Sequence, residues 1–272
     1  MTKNNQPDKY GDHFDEEFDI IVVGYGFAGG AAAIEASDQG CSVLLAVKMP
    51  DPGGISITAG GGIRIADDAD DAFAYLKASC DDRTGDAILR VFADELIGLA
   101  DYIRGLATVN DAVCEARHHP GNYPYPGFDT FGAIEIAEVP GFDPRTGYPH
   151  VQGRNRGPLL FKVVEDNVNQ RAIDVRVEYA AQRLTTDGGG NVTGVTFEKD
   201  GAPHRVRARK GVILACGGFE ANSEMQKQYW QITPVHSAAN RGNTGDGIRM
   251  AQDVGADLWH MWHFHGSYGM LH

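Results

Sequence analysis

The spacing of apolar and polar positions changes several times along this chain, and each change marks an element. Phe18 to Val23 (FDIIVV) is an apolar run whose Ile20 to Val23 are mostly β-branched, the pattern of a strand buried on both faces. It runs directly into Gly24, Gly26 and Gly29. Ala31 to Gln39 then predicts a short helix closed by Gly40, and Ser42 to Val47 a second buried strand. Asp67 to Cys80 and Asp86 to Leu106 predict two helices with acid-rich starts. In the second, Ile88, Val91, Phe92, Leu96, Leu99 and Ile103 recur at spacings of three and four, a face expected to cover the sheet. Between Cys114 and Gly153 the pattern dissolves into prolines, glycines and aromatics, which predicts an irregular insertion at about residues 110–153. Order returns at Pro158, which opens a helix reaching Gln170. Val175 to Tyr179, Ala181 to Thr186, Val192 to Glu198 and His204 to Ala208 follow as strands, with turns at Asp187 to Asn191 and Asp200-Gly201, an antiparallel meander. Gly211 to Gly218 (GVILACGG) reads as a buried strand ending in glycines, and Asn243 to Gly247 opens a helix, capped by Thr244, that runs to Gly255.

The first strand, its glycines at G-x-G-x-x-G spacing and the helix start form a motif with a physical meaning. Unpaired N–H groups and the positive dipole end face outward at such a helix start, and glycines let a pyrophosphate approach to hydrogen-bonding distance. In dinucleotide sites an acidic residue roughly 20 residues beyond the first glycine receives the adenosine ribose hydroxyls. Here that place holds Val47, followed by Lys48, so the expected carboxylate is missing; Asp51 is the nearest substitute in sequence. Pro52 to Ile63 (PGGISITAGGGI) then offers little side chain, with Ser56 and Thr58 as donors among exposed backbone, and suits close approach to a large flat ligand.

Composition narrows the field. A chain of 272 residues that is 42% hydrophobic and 22% charged has the make-up of a soluble globular protein. Its formal charge of −13 argues against a nucleic-acid or anionic-membrane surface. Cys41, Cys80, Cys114 and Cys216 form no C-x-x-C pair, so neither a disulfide framework nor structural zinc is expected, and a reducing cytoplasm is the default location. Met1 to Glu17 is polar and acidic, without a secretory pattern, and is expected to be a loose arm. Ile20 to Ile34 is too short and too glycine-rich for a membrane span, so none is expected.

Gly24-Tyr-Gly-Phe-Ala-Gly-Gly30, a second strand leading to Lys48, then Gly53-Gly54-Ile-Ser56 and Ala59-Gly60-Gly61-Gly62 together resemble the fumarate reductase and 3-ketosteroid dehydrogenase family of FAD enzymes. That family usually has Glu before the lysine, where this chain has Val47. The resemblance implies an α/β fold: a Rossmann-like FAD-binding domain over residues 18–257, with a parallel sheet and an antiparallel meander, followed by the start of an α+β substrate cap at 258–272. It implies that Gly24, Gly26, Phe27, Ala28 and Gly29 hold the FAD pyrophosphate, and that Val47 and Lys48 lie on the ribose side. Gly54, Ile55, Ser56, Ala59, Gly61 and Gly62 would line the ribityl chain and isoalloxazine ring. Ala180 and Ala181 would meet the adenine side, Ala215, Gly217 and Gly218 would pass beneath the cofactor, and Asp246 of the T-G-D-G turn would bind the flavin. The activity implied is hydride transfer through flavin N5 at a CH–CH bond, desaturating a 3-ketosteroid-like substrate or reducing an enoate, with an electron-transfer partner.

Tyr123 and Tyr125, in HHPGNYPYPGF, are the proton-donor candidates, by a short similarity to the pocket tyrosine of ketosteroid dehydrogenases; each would otherwise pack with its hydroxyl wet. Cys216 is read as a small packing residue rather than a redox thiol. His260, His263, His265 and His272 stand among tail aromatics without a nearby cysteine or carboxylate, and no metal site is expected. The resemblance stops near Tyr268, which leads us to expect a truncated member or one that needs a complementing chain. Lys48 also leaves room for a second reading, a nicotinamide-binding Rossmann reductase that would hold a 2′-phosphate there.

Overall fold

The computed structural model describes residues 13–151, 156–237 and 240–262. In chain order the elements are β1 (Glu16–Val23), α1 (Phe27–Asp38), β2 (Val43–Ala46), β3 (Ile63–Ala66), α2 (Ala69–Cys80), α3 (Asp86–Ala107), β4 (Val113–His118) and β5 (Phe131–Glu138). There follow α4 (Pro144–Gly147), α5 (Gly157–Asn169), β6 (Ile173–Arg176), β7 (Ala181–Thr186), β8 (Val192–Lys199), β9 (Ala202–Leu214), α6 (Ser223–Tyr229) and α7 (Asp246–Asp253). The described residues divide into two compact units, one made of those up to residue 55 and from residue 171 onward, the other of those between 56 and 170.

The first unit is built on a six-stranded sheet in the order β6-β2-β1-β9-β8-β7. β6, β2, β1 and β9 run parallel, while β9, β8 and β7 form an antiparallel meander. Ile21, Val22, Val43, Leu44, Leu45 and Ala46 are all buried, as parallel strands covered on both faces require. Ile21, Val23, Leu44 and Ala46 share one cluster with Tyr179, Val195, Phe197 and Val206. The two-residue turn at Asp200-Gly201 has positive φ at both positions, the geometry that suits the twist of a hairpin.

Two expectations change here. Val175 does not belong to the meander: β6 is the parallel edge of the sheet, and its register on β2 runs from Val43↔Ile173 to Ala46↔Arg176. The segments 204–208 and 211–218 are not two strands either. Through Leu214 they are the single strand β9, and the charged pair Arg209-Lys210 that reads as a break falls at a register shift opposite Asp19. Arg209 turns that irregularity into a contact, with its Nε 3.0 Å from Asp19 Oδ1 and an Nη 2.8 Å from Glu17 Oε1. Asp15 N–H already donates to the Arg205 carbonyl and β1 starts at Glu16, so the pairing begins inside the stretch expected to be a loose arm; residues 1–12 of that arm lie outside the described residues.

The second unit packs α2, α3 and α5 with a three-stranded antiparallel sheet, β3-β5-β4. Part of the stretch expected to be irregular thus supplies β4 and β5, whose β5 carries the buried Phe131, Ile134 and Ile136. Most of the prolines and glycines that hid these strands lie in the segments between them, although Gly132 is within β5. The helices stand close to expectation, with α2 capped by Asp68, whose Oδ1 accepts from Asp70 and Asp71 N–H at 2.9 Å. The inward face of α3 differs. Leu89, Ala93, Leu96, Ile103 and Leu106 are buried, whereas Ile88, Val91 and Phe92 are exposed. Both sets satisfy the three-and-four spacing, and the small Ala93, buried against Ala66, Ala72 and Phe131, marks the face that goes in.

Candidate cofactor site

The glycine turn lies at the carboxyl end of β1, between the ends of its two parallel neighbours. Gly24 N–H donates to the Ala46 carbonyl at 2.7 Å, and Ala215 N–H donates to the Val23 carbonyl at 2.7 Å. Gly24 has φ +110°, and a Cβ built on it would stand 2.2 Å from the Ala215 carbonyl oxygen. A Cβ on Gly29 would lie 1.8 Å from the Gly24 carbonyl oxygen, so α1 starts directly against the strand end. The helix begins at Phe27, earlier than the expected Ala31, because the glycines that lower its propensity are the ones that allow this approach. Gly26 is its N-cap and provides no side-chain bond, no acidic residue stands in the first turn, and Ala28 is exposed. A helix start so built presents positive potential and backbone donors to an anion.

Lys48, just past β2, joins this end of the sheet to α7. Its Nζ lies 2.6 Å from Asp246 Oδ2 and 2.6 Å from Thr244 Oγ1. The Thr244 hydroxyl is 3.0 Å from both Asp246 oxygens, and Arg249 adds an Nη at 2.7 Å from Oδ1. Thr244 therefore serves the carboxylate and does not cap the helix; the N-cap is Gly245, in left-handed conformation at φ +78°. Burial alone would raise the Asp246 carboxyl, but the bond and charge of Lys48, with Thr244 and Arg249, hold it below the ordinary value, so it is ionised and accepts hydrogen bonds only.

Residues 215–218 are tied to the same turn. Gly245 N–H donates to the Gly218 carbonyl at 3.1 Å, and Gly217, at φ +72°, meets the buried side chain of Asn243. Cys216 Sγ is 3.2 Å from the Val23 carbonyl, and a Cβ on Gly247 would approach it to 3.0 Å. Burial, with the Asp246 charge added, pushes this thiol up to about 11. On the other side, Val47 gives its carbonyl to Tyr179 N–H at 2.9 Å, and the chain runs on from that bond into Ala180 and Ala181. Ala180 in turn accepts from Glu198 N–H at 2.9 Å. Gly53 N–H bonds the Tyr25 carbonyl at 2.6 Å, and Gly54 (φ +52°) and the exposed Ile55 follow it.

The remaining candidates belong to the second unit. Ser56 opens a 3-10 turn to Thr58, and Ala59 accepts from Gly157 N–H at 3.0 Å. A Cβ on Gly61 would lie 2.5 Å from the Arg156 carbonyl carbon, so this segment packs backbone to backbone on the start of α5, with Gly62 exposed beside it. Tyr123 and Tyr125 are also exposed, at 59% and 39%; their rings lie 5.7 Å apart, and Tyr125 is 6.0 Å from Tyr75 of α2. Their phenols are wet and sit on an aromatic patch. Asn243 is a buried polar residue here that the motif spacing does not single out. The signal for it was its place directly before the T-G-D-G turn. Among the described residues no group of three or more His, Cys, Asp or Glu converges for a metal, and His263, His265 and His272 lie outside them. No helix among the described residues is long and apolar enough to cross a membrane.

The closed turn, the uncapped start of α1 and the ionised Asp246 fit FAD, and similarity to known proteins agrees. The NADH:fumarate oxidoreductase of Klebsiella pneumoniae (strain 342) is 28% identical over 89% of this chain and 25% of its own length. The 3-oxosteroid 1-dehydrogenase of Comamonas testosteroni is 25% identical over 79% of this chain and 49% of its own. The chain thus spans between a quarter and about half of the length of these relatives. The crystal structure of 3-ketosteroid-delta4-(5alpha)-dehydrogenase from Rhodococcus jostii RHA1 shares the fold, with a TM-score of 0.76 and 23% identity over 93% of this chain and 56% of that one. The sequence profile of the FAD binding domain family matches residues 19–265, and the chain belongs to that family.

Proposed function

We propose that this protein is an FAD-dependent oxidoreductase acting on a CH–CH bond next to a carbonyl, either desaturating a 3-ketosteroid-like substrate or reducing an enoate such as fumarate. The observation that carries the reading is the Gly24 turn, closed so tightly on Ala215 that only glycine fits, at the start of an uncapped helix. Relatives named for both chemistries support the reaction class. FAD, when bound, supplies the two-electron redox capacity.

The chain's own residues would bind and orient it. Gly24 to Gly29 offer backbone donors to the pyrophosphate, and Ala180 and Ala181 a small-residue surface to the adenine side. Ala215, Gly217 and Gly218 keep bulk away from the cofactor, and Asp246, held by Lys48, accepts from its hydroxyl or N–H groups. Tyr123 and Tyr125 are the proposed donors to a substrate carbonyl, since a phenol can hydrogen-bond the oxygen and deliver a proton. An apolar or unsaturated carbonyl compound is the proposed substrate class, and a separate electron carrier the proposed partner.

A nicotinamide dinucleotide is the second reading, on account of Lys48. That ammonium is engaged by Asp246 and Thr244, which weakens the case for its holding a 2′-phosphate. Titration separates the two. FAD should acquire a protein-bound absorbance near ~450 nm and raise the melting temperature by linkage, and NADPH should do neither. Stabilisation by NADPH with no response to FAD would overturn the proposal. With FAD bound, anaerobic bleaching by a saturated 3-ketosteroid, or reoxidation of the reduced protein by fumarate, would identify the substrate class.

A further inference from the structure

Val47 leaves the ribose side of the expected site without a carboxylate, and the backbone beside it supplies one from another strand. β2 and β6 are in regular parallel register as far as Ala46↔Arg176. Val47 N–H then donates to the Arg176 carbonyl at 2.9 Å, but the Val47 carbonyl accepts from Tyr179 N–H at 2.9 Å. Regular parallel pairing would take residue 178 at that point. Val177 and Glu178 together oppose Val47, so the ladder has a bulge, a device that re-aims side chains at the ends of strands. Glu178 carries the strain of it, with φ +50°, the left-handed region that glycine favours, and its N–H is held by the Met49 carbonyl at 3.2 Å. Its carboxylate is exposed and has no ion-pair or hydrogen-bond partner among the described residues. It stands immediately before Tyr179 and Ala180, on the side where the adenosine half is proposed to lie. Asp51, the substitute nearest in sequence, sits in the exposed bend after β2, outside this ladder.

We propose that Glu178 is the ribose-binding carboxylate of this protein, displaced from the position of Val47 to the bulge opposite it. A strained non-glycine residue kept at a ligand-facing strand end, with an uncompensated charge, is explained if the charge is used. The proposal rests on FAD occupying the Gly24 turn, and its test is arranged so that the two can fail separately.

The experiment measures binding to the flavin-free protein by calorimetry and by thermal shift, with FAD and with ADP as a probe of the adenosine half alone. Wild type and the variants E178Q, E178G, D51N and E178Q/V47E are compared. E178Q should weaken FAD and ADP about tenfold, the scale of a lost hydrogen bond to a charged acceptor. E178G relieves the left-handed strain, so the flavin-free protein should melt no lower than wild type while losing affinity to the same extent. E178Q/V47E should recover most of the affinity, and an FAD analogue lacking the adenosine ribose hydroxyls should bind wild type and E178Q equally. Unchanged FAD and ADP affinity in E178Q and E178G would overturn the assignment while leaving the FAD site standing, as would a loss in D51N alone. Failure of wild type to bind FAD at all would overturn the reading beneath it.

Discussion

Lys48 Nζ and Asp246 Oδ2 stand 2.6 Å apart and join the end of β2 to the first turn of α7, with the Thr244 hydroxyl shared between them. Each side chain is about 30% exposed, so the pair sits nearer the surface scale of ion-pair energies than the buried one. Asp246→Asn should cost about 1 kcal/mol at pH 7 in urea unfolding. The Asp246 carboxyl is held below its ordinary value in the folded state, so its contribution is complete above the unfolded value and fades as pH falls through the folded one. Wild type and variant should therefore differ at pH 7 and converge at strongly acidic pH; a gap that widened on acidification would contradict this.

Gly24→Ala places a methyl group 2.2 Å from a backbone oxygen at a φ of +110°, and no flexible side chain is there to yield. We expect a loss of about 2 kcal/mol or more and loss of FAD binding. Gly29→Ala should behave alike, since its Cβ meets the Gly24 oxygen at 1.8 Å. Gly188→Ala, with nothing within 4 Å, is the control and should stay within about 0.5 kcal/mol. Calorimetric melting of the three proteins decides the matter.

Cys216, with its thiol pushed up to about 11, should resist alkylation. At pH 8 only about one thiol in a thousand would be ionised, against roughly a quarter for an unperturbed cysteine. Iodoacetamide labelling followed by peptide mass analysis should find Cys216 the slowest by about a hundredfold relative to a free thiol. Labelling at the rate of a free thiol would restore the reactive-cysteine reading.

Phe197 is fully buried and stacks on Tyr179 with ring centroids 4.3 Å apart. Phe197→Ala should cost about 3–5 kcal/mol in chemical denaturation. Phe92→Ala, on the exposed side of α3, should change stability by about 0.5 kcal/mol or less. Comparable losses at the two sites would mean that the inward face of α3 is assigned wrongly.

What could be read from the sequence was whatever is local. The β-branched run before Gly24, the glycine spacing and the Asp200-Gly201 turn each specify their geometry within a few residues. Features set by a distant partner were illegible. The charge pair Arg209-Lys210 looks like the end of a strand until Asp19, far away in sequence, is placed opposite it. The face of α3 was ambiguous because two apolar stripes share its periodicity, and only the packing of Ala93 chooses between them. Thr244 had the residue type of a cap, but the neighbouring Lys48 and Asp246 offered its hydroxyl a charged network instead. Glu178 gave no signal at all, since its bulge is created by pairing with Val47 from another part of the chain.

β9 carries one more consequence. Val206 pairs with Glu16 on one side and Val195 on the other, and Arg207 with Glu17 and Gly194, before the same strand runs on to Val23 and Ala215. The β8-β9 hairpin and the strand that ends beside the glycine turn are thus one continuous piece of backbone. Local opening of the meander would loosen the strand whose far end is held beside Gly24 by the bond from Ala215 N–H to the Val23 carbonyl. Residues 215–218 and the meander are therefore expected to open as a single cooperative unit, so that a ligand tightening one should slow amide exchange in the other.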